Sequence, residues 1–170
     1  LAVASGVRGS VAAPPDGFKI PEGSGRFIRS EFLRKLGWHF PEVYGYESWI
    51  VYEAIRGDRK VAVLNNLQYE HLGRLGYSHR FVEWGPMMRC LGYHPLFALA
   101  RTFYGFWKDG EVSRMAWVKI LTDYLLSPLT KRGDPYYKLH DAQFRKFVRS
   151  FQLSRLHSLS RALKRLFLPT

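Results

Sequence analysis

The chain has 170 residues, 46% of them hydrophobic, which is enough for one ordinary buried core. Its single cysteine, Cys90, excludes an internal disulfide framework, and no apolar run reaches the roughly 20 residues of a membrane-spanning helix. The net charge of +12 is unevenly held: residues 1–71 carry nine Lys/Arg against eight Asp/Glu, and residues 72–170 carry seventeen against six. That asymmetry points to an anionic partner, either a membrane surface or nucleic acid.

Residues 1–21 contain Gly6, Gly9, Pro14, Pro15, Gly17 and Pro21 and read as a turn-rich loop with one short strand near Phe18-Lys-Ile20. Leu1-Ala-Val-Ala-Ser-Gly-Val-Arg8 is apolar but has no basic segment before it and makes a poor signal peptide. Phe27-Ile-Arg29 reads as a strand. Ser30 is the expected cap of a helix with Glu31 in its first turn, Phe32, Leu33 and Leu36 inward, and Gly37 as a left-handed stop. Residues 48–56 predict a second helix with Trp49, Tyr52 and Ala54 or Ile55 inward, ended by Gly57. Residues 61–64 and 67–70 read as short strands separated by Asn65-Asn66. The alternation of strand and helix is α/β in character.

After His71 the pattern turns helical. Apolar residues at three- and four-residue steps predict helices over 78–91, 94–108, 111–127 and 142–168, punctuated by Gly92, Gly110, Pro128 and Gly133-Asp-Pro135. From Phe144 the last of these carries Phe147, Val148, Phe151, Leu156, Leu159, Leu163, Leu166 and Phe167 on its apolar stripe and Arg145, Lys146, Arg149, Arg155, Arg161, Lys164 and Arg165 mostly off it, with no acid after Asp141. Three roles stay open for it: packing on the domain with a solvated basic face, lying in a membrane interface, or meeting a phosphate backbone.

The succession Gly23-Ser-Gly-Arg-Phe-Ile-Arg29, Leu33-Arg-Lys-Leu-Gly-Trp38, Gly45-Tyr-Glu-Ser-Trp49 and His71 resembles the acceptor-side half of a family 2 glycosyltransferase, over Glu22 to about His71. The resemblance implies an α/β fold: a partial GT-A, Rossmann-like acceptor half over residues 1–75, followed by a helical basic extension over residues 76–170. It implies inverting transfer of a sugar from a nucleotide-sugar to a glycan or polyprenyl-phosphate acceptor. A divalent cation, Mg or Mn, would be held mostly by an N-terminal nucleotide-binding half bearing Asp-x-Asp. No two aspartates here are two apart and the chain opens at Leu1, so the expectation is the C-terminal portion of a longer enzyme, inactive alone. Its expected location is the cytoplasm, free or peripheral on the cytoplasmic membrane face.

Inverting transfer needs a base for the acceptor hydroxyl and electrophilic help for the departing diphosphate. The resemblance makes Glu47 the catalytic candidate. Ser48 stands where the family usually has the basic Asp. Either Glu47 is itself the base or acceptor-orienting group, or the acceptor is already anionic and needs no strong base; a plain helix-capping role is a third reading. Trp38, Tyr46 and Trp49 are acceptor-binding candidates, since aromatic faces stack on sugars, although the spacing of Trp49 also suits a core position. His71 falls where the family completes the metal site, and Arg74 where a guanidinium can pair with the diphosphate. Arg26 and Arg29 flank the glycine turn. The rival from another class is a non-catalytic basic helical module binding anionic membrane or RNA, and Ser48 also allows a degenerate transferase.

Overall fold

The computed structural model describes residues 1–8, 25–69, 77–108 and 114–167. They form a mixed α/β chain of three strands and six helices: β1 (Val3–Arg8), β2 (Arg26–Ile28), α1 (Ser30–Lys35), α2 (Tyr46–Arg56), β3 (Val61–Tyr69), α3 (Tyr77–Cys90), α4 (Pro95–Lys108), α5 (Arg114–Thr130) and α6 (Ala142–Phe167). Two compact units divide the chain. The first takes Leu1–Glu42 and Tyr46–Leu75, the second Val43–Gly45 and Gly76–Thr170.

In the first unit the sheet order is β2-β1-β3, with β1 antiparallel to β2 and parallel to β3. This corrects the reading of residues 1–21 as a loop, because β1 is the central strand. Ala2, Val3, Ala4 and Ser5 are buried, the continuous burial expected of a strand covered on both faces. Gly6 is required within it: a Cβ there would stand 2.5 Å from the Leu67 carbonyl oxygen. The ladder slips register between Ser5 and Val7, and β3 runs unbroken through Asn65-Asn66 instead of splitting into two strands. The expected strand at Phe18-Lys-Ile20 lies outside the described residues.

Helix α1 begins at Ser30 itself, with Arg29 as the residue before it and no side-chain cap, so Ser30 is not the cap its type suggested. Gly37 supplies the left-handed stop at φ 74°, and Trp38 continues it at φ 56°. Ala2, Val3, Phe32, Ile50, Val51 and Ala54 form the core of this unit, with Leu33, Leu36 and Trp49 packed partly buried against it.

The second unit is helical. Helix α3 packs on α5 where Gly85 leaves no room for a side chain, a Cβ there standing 2.5 Å from the Asp123 Cβ. Helix α4 packs on α5 where Gly105 meets the Trp117 ring. Pro128, expected to end α5, falls inside it; lacking an N–H to return to the Tyr124 carbonyl, it leaves that oxygen to accept from Ser127 Oγ at 3.4 Å. Helix α6 starts where Asp141 Oδ1 accepts the Phe144 N–H at 2.9 Å. Its innermost line is Phe144, Val148 and Gln152: the first two lie on the apolar stripe read from the sequence, Gln152 does not, and Phe147 and Phe151 of that stripe are half-buried. Gln152 is buried because its Oε1 accepts the His94 N–H at 2.8 Å. Tyr44 joins this unit through its N–H, which donates to Tyr136 O at 3.0 Å, and its hydroxyl, which donates to Asp134 Oδ2 at 2.8 Å and accepts from Lys131 Nζ at 3.4 Å. No helix of the described residues is long and apolar enough to cross a membrane.

Candidate functional site

The site lies within the first unit, at the start of α2. The helix begins two residues before the expected Ser48, so Tyr46 and Glu47 sit in its first turn, where a carboxylate is favoured by the exposed amide groups. Glu47 and Tyr46 are both exposed. On β2, Arg26 reaches across and donates from its guanidinium to the Glu47 carbonyl oxygen. Burial pulls the Arg26 guanidinium below its ordinary value, and the neighbouring Glu47 and Tyr46 oppose that pull.

The aromatic candidates divide. Trp38 is 60% exposed and held in the left-handed region, a backbone state that bulky side chains rarely adopt. Phe40, two residues on, meets the Tyr46 ring edge-on with centroids 6.1 Å apart. Sequence reasoning passed over Phe40, whose only signal was its place after Gly37-Trp38. Trp49 is half-buried against the core cluster of Ile50 and Val51. Arg29 pairs at 2.9 Å with Glu31, and both are exposed.

His71 and Arg74 lie outside the described residues, as do Gly23 and Ser24 of the glycine turn. The structure therefore brings together Arg26, Phe40, Tyr46 and Glu47, with Trp38 close along the chain. Among the described residues no group of three or more His, Cys, Asp or Glu gathers to hold a metal ion. A pocket lined by Leu1, Arg29, Phe32, Lys35 and Arg59 includes Arg29 but not Trp38, Tyr46, Glu47 or Trp49. No family model, curated protein or solved structure matches the chain.

Proposed function

We propose that this chain supplies the acceptor side of an inverting glycosyltransferase of GT-A type, working with a nucleotide-sugar-binding half. The observation that carries the reading is the placing of Glu47: an exposed carboxylate in the first turn of α2, its main chain held by Arg26, beside exposed Tyr46. A mixed α/β unit whose parallel strands β1 and β3 are connected by way of the antiparallel strand β2 and helices α1 and α2 is also compatible with that fold.

In this reading Glu47 takes the acceptor hydroxyl's proton as the acceptor oxygen forms its bond to the anomeric carbon and the bond to the diphosphate breaks. Arg26 fixes the turn that carries the base, and Trp38 and Tyr46 offer faces for a sugar. A divalent cation, when bound, would neutralise the departing diphosphate. The described residues do not by themselves fit one.

The test is Glu47→Gln in a polypeptide that joins this region to a donor-binding half. Transfer to a neutral glycan falls by about 100-fold or more, the usual worth of a positioned base, while nucleotide-sugar binding is kept. Wild-type turnover in that variant removes Glu47 from the mechanism.

A further inference from the structure

Helix α4 is built inside out. Its buried positions are the small ones, Ala98, Thr102 and Gly105, while Leu96, Leu99, Phe103 and Trp107 recur at three- and four-residue steps on the opposite side and face solvent. Phe103 is 63% exposed and Trp107 67%. Helix α5, packed against α4, repeats the arrangement. It turns Trp117, Ile120, Tyr124 and Ser127 inward, and leaves Met115, Val118, Leu125 and Leu129 outside. Exposed apolar stripes on two helices that pack on one another are the kind of surface that meets a partner.

Charge identifies the partner. Residues 72–170 carry seventeen Lys/Arg against six Asp/Glu, so two copies brought face to face would repel. Asp123 is the only acid among the described residues of α4 and α5, and it is paired with Lys119 at 2.5 Å. Asp109 and Glu111 fall in the connection between the helices, outside the described residues. Exposed cations border the stripes: Arg101 one turn from Tyr104, Arg114 one turn from Val118, and Lys119 one turn from Met115. Arg101 lies over the Trp84 ring and Arg114 over the Phe106 ring, contacts that leave their charge intact. Trp107 and Tyr104 add the amphipathic aromatics that settle at a headgroup boundary. With 14 and 17 residues, the two helices fit an interfacial position and not a span.

We infer that the outer faces of α4 and α5 are a docking surface for an anionic lipid bilayer, their apolar stripes lying at the boundary between headgroups and acyl chains and their flanking cations meeting lipid phosphates. This surface is distinct from α6, whose Phe144 and Val148 are buried within its own unit. It stands whether or not the chain takes part in glycosyl transfer.

The experiment is sedimentation of the 170-residue chain with vesicles of phosphatidylcholine containing phosphatidylglycerol, beside pure phosphatidylcholine vesicles, at low and high salt. The chain partitions onto the anionic vesicles and weakens with salt. Phe103→Asp with Leu125→Asp lowers partitioning by about tenfold or more, as expected from placing two charges on the inserted face, while far-UV circular dichroism and the unfolding midpoint stay as in the wild type. Phe103→Ser is the milder control, with a smaller drop. Brominated acyl chains quench the wild type, and Trp107→Phe loses the larger share of that quenching. Equal partitioning of the double variant, no binding to anionic vesicles, self-association that these substitutions abolish, or tight RNA binding without vesicle binding would each overturn the proposal.

Discussion

Arg26 ties the shortest strand of the sheet to the first turn of α2 by donating to the carbonyl oxygen of Glu47. The bond spans 21 residues of sequence and joins a strand to a helix. Arg26→Met, which keeps the aliphatic stem but removes the donor, is expected to cost about 1 kcal/mol, the usual net worth of such a bond. Urea unfolding followed by tryptophan fluorescence measures it. An unchanged midpoint would show that water replaces the guanidinium without loss.

Trp38 stands in the left-handed region with most of its ring in solvent. Replacing it by glycine removes a backbone penalty of roughly 1–2 kcal/mol and gives up little buried area, so Trp38→Gly raises the thermal midpoint. If the ring stacks on an acceptor sugar, the same substitution weakens glycan binding in a titration. A stabilised protein with unaltered glycan affinity would assign Trp38 no part in recognition.

At Gly85 two effects of alanine oppose each other. The substitution gains about 1 kcal/mol of helix propensity. Its Cβ, however, would stand 2.5 Å from the Asp123 Cβ and 2.7 Å from the backbone of Ile120 and Tyr124. Backbone cannot retreat as a flexible side chain does, and overpacking costs about 1–3 kcal/mol. Gly85→Ala is therefore destabilising, with a lower midpoint in thermal melts.

Burial pushes the Cys90 thiol up to about 12, so it is protonated across the physiological range. A thiol-specific disulfide reagent should leave the native protein unmodified at neutral pH and titrate one thiol after unfolding. Rapid labelling of the native state would contradict the packing around α3.

Hydrogen bonds from the Tyr44 hydroxyl and the Tyr136 N–H, with Lys131 nearby, hold the Asp134 carboxyl below the ordinary carboxylate value of 3.8. Its folded pKa lies under its unfolded one, so the unfolded chain binds the proton first. The stabilisation is fully present above the unfolded value and is lost as pH falls through the folded one. Acid unfolding of the wild type should thus steepen below about pH 4, and Asp134→Asn should flatten that part of the curve. Parallel acid curves for the two proteins would refute the coupling.

Much of the architecture could be read from residue patterns. Gly37 and Gly57 stop α1 and α2, and the three- and four-residue steps after residue 77 trace four helices. The strand at the centre of the sheet could not be read. Its apolar run is short, is broken by Ser5 and Gly6, and precedes a proline-rich stretch, so the turn signal overrode a burial signal that only neighbouring strands create. Asn65-Asn66 misled for the converse reason, since a strand irregularity absorbs residues whose local preference is for turns. For the candidate site, sequence gave the residue types but not the bond between Arg26 and Glu47, which depends on how β2 is laid beside β1. The outward face of α4 was hidden because periodicity identifies an apolar side without saying which way it points.

The three residues Val43–Gly45 belong to the second unit while the chain on either side of them belongs to the first. A clean genetic cut between residues 75 and 76 would therefore deprive the helical part of Tyr44, and with it the hydroxyl that Asp134 accepts. The helical region is not a cassette that recombination can lift out whole. An insertion or deletion in the short Glu42–Tyr46 stretch would disturb the folding of both parts at once.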